Sequence, residues 1–233
     1  MSWSPHIAKI TDDARKISSW ILSVFLDRSA QTLLPLFKCL VRSRLEYCSA
    51  VWSPSKVEDI MRLESVQRSL TARIDNVKHL HYWDRLRELN LMSLQRRRER
   101  YIIIQVFKLL HGLAPNDIGL EFHTSPRRGV CCIVPPLVRG SKPRIQRLYD
   151  NSFKVVGAKM WNLLPSTIRK KTTLDSFKAS LTKYLLLLQD NPPVPGISSA
   201  NSLLTVLAAG GPTLGTVEDD RGGQDEEIQM ARI

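Results

Sequence analysis

Apolar residues recur every three or four positions through most of the first 110 residues, and this spacing predicts packed helices. The first predicted helix begins near Ser4, which can cap it, and Pro5 suits its first position. Its inward face would carry Ile7, Ile10, Ala14, Ile17, Ile21, Val24 and Phe25. Because each such stripe must pack against another apolar surface, the pattern indicates a mainly α-helical bundle.

Four further helices are predicted before residue 114. Their expected N-terminal residues are Ser29, Ser55, His81 and Ser93. Glu58 lies three residues after Ser55, as in a capping box. Gly112 follows the expected end of the fifth helix.

The composition changes twice along the chain, which predicts three regions. Residues 1–114 are expected to form the helical bundle. Residues 115–189 are richer in Gly, Pro and Arg, and are expected to form a basic segment of loops, short strands and two helices. Residues 190–233 contain many small residues and end acidic, which predicts a tail that is disordered, or only weakly helical around residues 203–209.

Positive charge is concentrated in the second region. The chain has 34 Lys and Arg against 22 Asp and Glu, a formal net charge of +12. From Arg127 to Lys171 there are eleven basic residues and one acid, whereas the residues from Asp190 onward have two Arg and seven acids. This asymmetry favours a polyanionic partner such as RNA or DNA. A solvated basic surface without a partner is the open alternative.

Two basic clusters are the candidate contacts with a phosphate backbone. The first opens the fifth helix, where cations oppose the helix dipole; it comprises Arg96, Arg97, Arg98 and Arg100. The second lies in the basic segment and comprises Arg127, Arg128, Arg139, Lys142, Arg144 and Arg147. Nearby aromatic residues suit single-stranded nucleic acid. Core packing is the better interpretation of three of them, Trp52, Phe153 and Trp161.

No motif predicts catalysis, a metal site or a cofactor. The Asp12–Asp13 and Asp219–Asp220 pairs are not framed by apolar strands that would fix a metal-binding geometry. The four cysteines have neither zinc-ligand spacing nor a disulfide pattern, so we expect reduced, partly buried thiols. With no leader-like or membrane-spanning stretch, we expect a soluble intracellular protein, in the nucleus or the cytoplasm.

Five stretches, in order, resemble the region after the catalytic palm in reverse transcriptases of non-LTR (LINE-type) retrotransposons. Among these retrotransposons, the resemblance is strongest to the jockey-like elements. The stretches are WSPHIAKITDDARK, LFKCLVRSRLEYCSAVWSP, LESVQRSLTARI, YWDRLRELNLMSLQRRRERYIIIQVFKLLHG and SFKVVGAKMWNLLPSTIRKKTTLDSFKASLTKYL. Together they cover most of residues 3–186. The resemblance implies a thumb-like helical domain and a basic C-terminal segment that accompany an RNA-directed DNA polymerase.

The sequence departs from this family in lacking the aromatic-x-Asp-Asp metal motif of the palm, so no catalytic residue is carried over. We therefore expect a truncated reverse transcriptase without polymerase activity, retaining sequence-tolerant RNA or DNA binding. Two alternatives stay open. One is a helical protein-interaction module, whose partner would cover an apolar face exposed by the missing palm. The other is a decayed open reading frame without function.

Overall fold

The computed structural model describes residues 3–125, 129–132 and 142–209, and their regular structure is mainly α-helical, as predicted. The helices are α1 (Ser4–Val24), α2 (Ala30–Leu36), α3 (Ser43–Glu46), α4 (Ser49–Trp52), α5 (Val57–Thr71), α6 (Tyr82–Glu88), α7 (Leu94–Leu110), α8 (Pro143–Asp150), α9 (Phe153–Leu163), α10 (Ser166–Arg169), α11 (Leu174–Leu187) and α12 (Leu203–Ala208). A π-helical segment, Phe37–Arg42, joins α2 to α3. The strands β1 (Phe122–Ser125) and β2 (Gly129–Cys132) form an antiparallel pair, with Phe122 opposite Cys132.

The predicted helix starts are confirmed where a side chain can reach the first-turn amides. The Ser93 hydroxyl accepts a hydrogen bond from the Arg96 amide at 2.9 Å, and Ser29 accepts one from Thr32 at 3.3 Å. The capping box at Ser55 is wrong, because α5 begins at Val57 and no side chain caps it. A capping serine must immediately precede the first turn.

The first apolar core lies between α1, α5 and the helical run from α2 to α3. It contains Ile7, Ala14 and Ile21 of α1, whose spacing of seven residues keeps them on one face. Leu63 and Leu70 of α5 contact this face, and each side chain of this size contributes about 1.5–3 kcal/mol when fully buried. The apolar stripes predicted for α1 and α5 therefore form this core, although Val24 at the end of α1 is exposed.

Helix α7 connects this core to a second one. Leu94 belongs to the first core, whereas Phe107 belongs to the second, which includes residues of α9, α11 and α12. The ring centroids of Phe107 and Phe177 are 4.3 Å apart, and Trp161 of α9 lies beside both. The packing therefore does not follow the predicted boundary at residue 114, because α7 precedes that boundary but shares a core with later helices.

Gly157 allows α9 to approach α7 closely. A Cβ atom at this position would lie 2.7 Å from Val106 Cγ2, which is closer than carbon atoms pack. The close approach brings Ala158 and Trp161 of α9 into the second core, where both are buried.

Residues 190–209, here named the C-terminal segment, are folded against α7 and α9. The prediction that disorder begins at residue 190 is wrong for this segment. Leu203 is fully buried in the second core, and the Asp190 carboxylate accepts hydrogen bonds from the Ser93 amide at 2.7 Å and hydroxyl at 2.8 Å. Apolar burial and satisfied polar groups together offset the entropy of ordering the segment. The rest of the predicted tail, 210–233, lies outside the described residues.

The basic segment contains the predicted strands and more helices than the two expected. Asn162 of α9 connects the strand pair to the second core, since its side chain exchanges two hydrogen bonds with the Cys132 backbone, at 2.6 and 2.7 Å. Among the described residues, no helix is both long enough and apolar enough to cross a membrane.

Candidate functional site

The first predicted basic cluster lies on α7, but its members have different environments. Arg96 and Arg98 are 0% and 1% exposed, whereas Arg97 and Arg100 are half-buried. The interpretation of these four residues as one exposed patch is therefore wrong. Tertiary packing removes two of the guanidinium groups from contact with any external phosphate.

Arg96 holds the C-terminal segment against α7. Its Nη2 atom donates to the carbonyl oxygens of Gln189 and Asn201, both at 3.2 Å. Its Nε atom lies 3.6 Å from the Glu99 carboxylate, which also accepts a hydrogen bond from the Leu203 amide at 2.9 Å. These contacts give Arg96 a structural role.

Arg98 belongs to a buried charge network with Glu64 and Glu99. Burial lowers the pKa of Arg98, and the two carboxylates oppose that shift. Burial raises the pKa of both Glu64 and Glu99 to about 7, although Arg98 and Arg96 respectively counteract the increase. Glu64 also accepts hydrogen bonds from the Gln95 amide and the Tyr82 hydroxyl, each at 2.8 Å. The network is internal, and it makes folding sensitive to pH.

An open cleft of about 520 Å³ lies between α7 and the chain that runs from the π-helical segment to α4. We name it the α3–α7 cleft. Its charged and tyrosine lining residues are Lys38, Arg42, Glu46, Tyr47, Arg97, Tyr101 and Lys108. Four cations thus face one carboxylate. Within the described residues, neither Lys38 nor Lys108 forms an ion pair.

Glu46 is the centre of the hydrogen bonding in the cleft. Arg97 binds it with two nitrogens: Nε donates to Oε1, and Nη2 donates to Oε2 at 2.9 Å. The Tyr101 hydroxyl donates to Oε2 at 3.0 Å, and Arg42 Nε lies 3.8 Å from Oε1. Burial alone would lower the pKa of Arg97, but the hydrogen bonds and charge of Glu46 raise it.

Two further arginines are close enough to Arg97 to be repelled by it: Arg42 in the lining of the cleft, and Arg100, which is on α7 but not in the lining. Burial, followed by the charge of Arg97, lowers the pKa of Arg42. The same two causes lower the pKa of Arg100, whose guanidinium lies 5.9 Å from the centre of the Tyr101 ring. Arg100 also donates from Nε to the Thr182 hydroxyl at 2.9 Å. An additional anion in the cleft would relieve this repulsion.

The second predicted cluster is only partly described. Lys142, Arg144 and Arg147 are exposed at or beside α8, together with the apolar side chains of Ile145 and Leu148. Arg127, Arg128 and Arg139 lie outside the described residues. The described members are available to a polyanion, but they lie on a different element from the α3–α7 cleft.

Those residues considered for chemistry that the structure describes are not brought together. Asp12 and Asp13 form ion pairs with Arg15 and Lys16 on α1, and Asp219–Asp220 lies outside the described residues. The described part of the chain holds no group of three or more His, Cys, Asp or Glu side chains placed to bind a metal ion. The thiols of Cys39 and Cys48 are free and exposed rather than partly buried, and the side chain of Cys132 is buried.

Sequence reasoning missed Lys38, Arg42 and Lys108 as members of the site. Lys38 and Arg42 are four residues apart, as are Arg97 and Tyr101, and this spacing places each pair on one helical face. That signal was present in the sequence. The meeting of the two faces depends on tertiary packing.

Comparison of the chain with protein-family models, with curated proteins and with solved structures found no match.

Proposed function

We propose that this chain is the thumb-like region of a non-LTR retrotransposon reverse transcriptase; the aromatic-x-Asp-Asp motif of the catalytic palm is not in this sequence. Its proposed property is sequence-tolerant binding of RNA or DNA through the phosphate backbone. The resemblance of five ordered stretches supports the origin. The charge of the α3–α7 cleft supports the binding.

The observation that carries the proposal is the excess of cations in the cleft. Lys38, Arg42, Arg97 and Lys108 face only Glu46, so the lining has three more positive than negative charges. Such an excess inside a concave surface attracts a polyanion and concentrates it there. Exposed Arg144 and Arg147 on α8 supply a second cationic surface.

The chemistry of these groups favours phosphates over base edges. Guanidinium groups bind phosphate oxygens with two parallel hydrogen bonds, and lysine ammonium groups act as point charges. Tyr47 is 77% exposed at the edge of the cleft, where a base can stack on its ring. Stacking is tolerant of sequence because every base has an aromatic face.

A salt titration tests the proposal. Labelled single-stranded RNA and DNA of mixed sequence are titrated with protein at 50 and 200 mM salt, and anisotropy is measured. We expect the logarithm of the binding constant to fall with the logarithm of salt concentration, with a slope of about −0.7 per phosphate contacted. Absence of binding at low salt, or tight binding indifferent to salt, would contradict the proposal.

Charge reversal locates the contact. The double variant Lys38→Glu/Lys108→Glu should weaken binding by at least about tenfold, because phosphates would then meet carboxylates. The matched control is Lys9→Glu/Arg73→Glu, which changes the net charge equally at exposed positions outside the cleft lining. If the control loses as much affinity as the cleft variant, binding is not located in the cleft.

A second candidate function, a helical protein-interaction module, is favoured by exposed apolar side chains around the end of α1. Trp20, Val24 and Leu26 are 57%, 53% and 89% exposed. Large apolar groups that lie close together on a surface often mark an interface. A Trp20→Ser/Leu26→Ser variant that lowers the sedimentation-derived mass, while the cleft variant does not, would support self-association through this region.

A further inference from the structure

We infer that Glu46 occupies the phosphate position of the α3–α7 cleft and competes there with nucleic acid, so that a bound strand displaces its carboxylate. This inference rests on the proposed function and deepens it. It assigns one residue as an internal competitor and names the ligand as a phosphodiester of single-stranded RNA or DNA.

The first support is the geometry of the Glu46 carboxylate. Both of its oxygens are engaged by Arg97, and Tyr101 donates to one of them at 3.0 Å. A phosphate presents two non-bridging oxygens to an arginine fork in the same bidentate manner. The donors that hold Glu46 are therefore the donors that a backbone phosphate would use.

The second support is the balance of charge. With Glu46 in place, the four cations of the described lining still exceed its carboxylate by three charges, and neither Lys38 nor Lys108 has an ion-pair partner among the described residues. Glu46 neutralises only part of the positive charge of the cleft. A phosphodiester that replaced it would bind the same Arg97 guanidinium and would also lie near the ammonium groups of Lys38 and Lys108. A strand brings several phosphates, whereas Glu46 brings one carboxylate.

The third support is the position of Glu46 at a break between helices. It is the last residue of α3, and Cys48, two residues later, has φ 51° in the left-handed region that non-glycine residues rarely adopt. Tyr47 between them is exposed. Because the backbone between α3 and α4 is not part of a continuous helix, the Glu46 carboxylate can move away from the Arg97 guanidinium without unfolding α7.

The decisive experiment compares single-stranded DNA binding by the wild-type chain and by Glu46→Gln, with labelled oligothymidylate as the probe. The glutamine keeps the size of the side chain but removes its charge. We expect binding to tighten by about tenfold, because a like charge has left the phosphate position. We also expect the salt slope to steepen by about 0.7, equal to one further phosphate contact.

The matched control is Glu88→Gln on α6, which changes the net charge equally at an exposed position outside the cleft. It should alter affinity by less than about twofold. If Glu46→Gln binds no more tightly than Glu88→Gln, the inference is overturned. The Arg97→Ala change made on the Glu46→Gln background should remove the gain.

A second variant keeps the inference testable if Glu46→Gln fails to fold, which a circular dichroism spectrum would show. Glu46→Asp keeps the charge but shortens the side chain by one methylene, so its carboxylate reaches the fork less well. Binding of this variant should be tighter than that of the wild-type chain, and no change would count against the inference.

The outcomes separate the inference from the proposed function. Binding by the wild-type chain without a gain in Glu46→Gln keeps the function and rejects the inference. Binding by Glu46→Gln alone supports the competitor role and rejects nucleic-acid binding by the native chain. Absence of binding by both, with both folded, rejects both.

Discussion

Arg97 and Glu46 are fifty-one residues apart in the sequence, and the Arg97 guanidinium binds both carboxylate oxygens of Glu46. The two side chains are 18% and 9% exposed. The pair joins the end of α3 to the first turn of α7. It also places the Glu46 carboxylate among the cations that line the α3–α7 cleft. The same contact therefore has a structural consequence and a functional one.

Breaking this pair should reveal a coupling energy larger than that of a surface pair. A double-mutant cycle with Glu46→Gln and Arg97→Met, measured by urea unfolding, is expected to give about 1–3 kcal/mol, because the hydrogen bonds are charged and largely shielded from water. The control is the exposed Asp12–Arg15 pair on α1, whose coupling should be close to zero. Equal coupling energies for the two pairs would contradict the prediction.

Trp52 should be a major contributor to the first core. It is 4% exposed, and its indole nitrogen donates to the Tyr47 carbonyl oxygen at 2.8 Å. Trp52→Ala is expected to lower the free energy of unfolding by about 3–5 kcal/mol, because it removes buried area and leaves a cavity. Trp20→Ala, at a residue 57% exposed, is the control and should change it much less. A loss below about 1 kcal/mol for Trp52→Ala in denaturant melts would show that the indole is not buried.

The protein should lose stability as the pH rises from about 4.5 to about 7. Burial raises the pKa of Glu64 and of Glu99 from 4.5 to about 7 in the folded state, so the folded protein binds more protons than the unfolded chain in this window. The contribution is complete below the unfolded pKa and is lost as the pH passes the folded pKa. The size is on the order of 3 kcal/mol per carboxyl if the whole shift is realised.

Urea unfolding at pH 5, 6, 7 and 8 measures this dependence. The Glu64→Gln/Glu99→Gln variant is the control, because its amides stay neutral throughout, and its stability should vary less over the same range. Stability of the wild-type chain that increases from pH 5 to pH 7 would contradict the assignment.

Asp190 should fasten the C-terminal segment. Its carboxylate accepts hydrogen bonds from Ser93 and, at 2.9 Å, from the Asn201 side chain. Asp190→Ala is expected to destabilise the fold by about 1–3 kcal/mol, since it leaves buried donors without an acceptor. Cleavage within residues 190–209 by a non-specific protease should become faster.

The control for this prediction is Asp175→Ala, at a side chain 97% exposed on α11. It should leave both stability and the cleavage pattern unchanged. Protection of the C-terminal segment in Asp190→Ala equal to that in the wild-type chain would show that the Asp190 carboxylate is not needed to hold the segment.

Much of the local structure could be read from the sequence. The apolar spacing identified the inward residues of α1 and α5, and Ser93 identified the start of α7, since periodicity and capping depend on neighbouring residues. Asn90, two residues after the end of α6, has φ 49°, in the left-handed region that asparagine tolerates better than most residues. The exposed cations of α8 were identified from the clustering of positive charge in the sequence.

Which arginines of α7 are buried depends on the tertiary structure. The run from Arg96 to Arg100 shows positive charge in the sequence, but burial of Arg96 and Arg98 depends on groups as distant as Glu64 and Asn201. The folding of residues 190–209 also depends on tertiary structure, because the groups that Leu203 and Asp190 contact are brought together only when α7 and α9 pack.

The sequence by itself therefore determined the main helices of the first 110 residues, the inward faces of α1 and α5, and the overall excess of cations. Only the tertiary structure decided which of those cations face solvent, and only tertiary packing brought Glu46 within hydrogen-bonding distance of Arg97. Helix formation depends on interactions within a few residues, whereas the environment of a charge depends on every group that folding brings within reach of it.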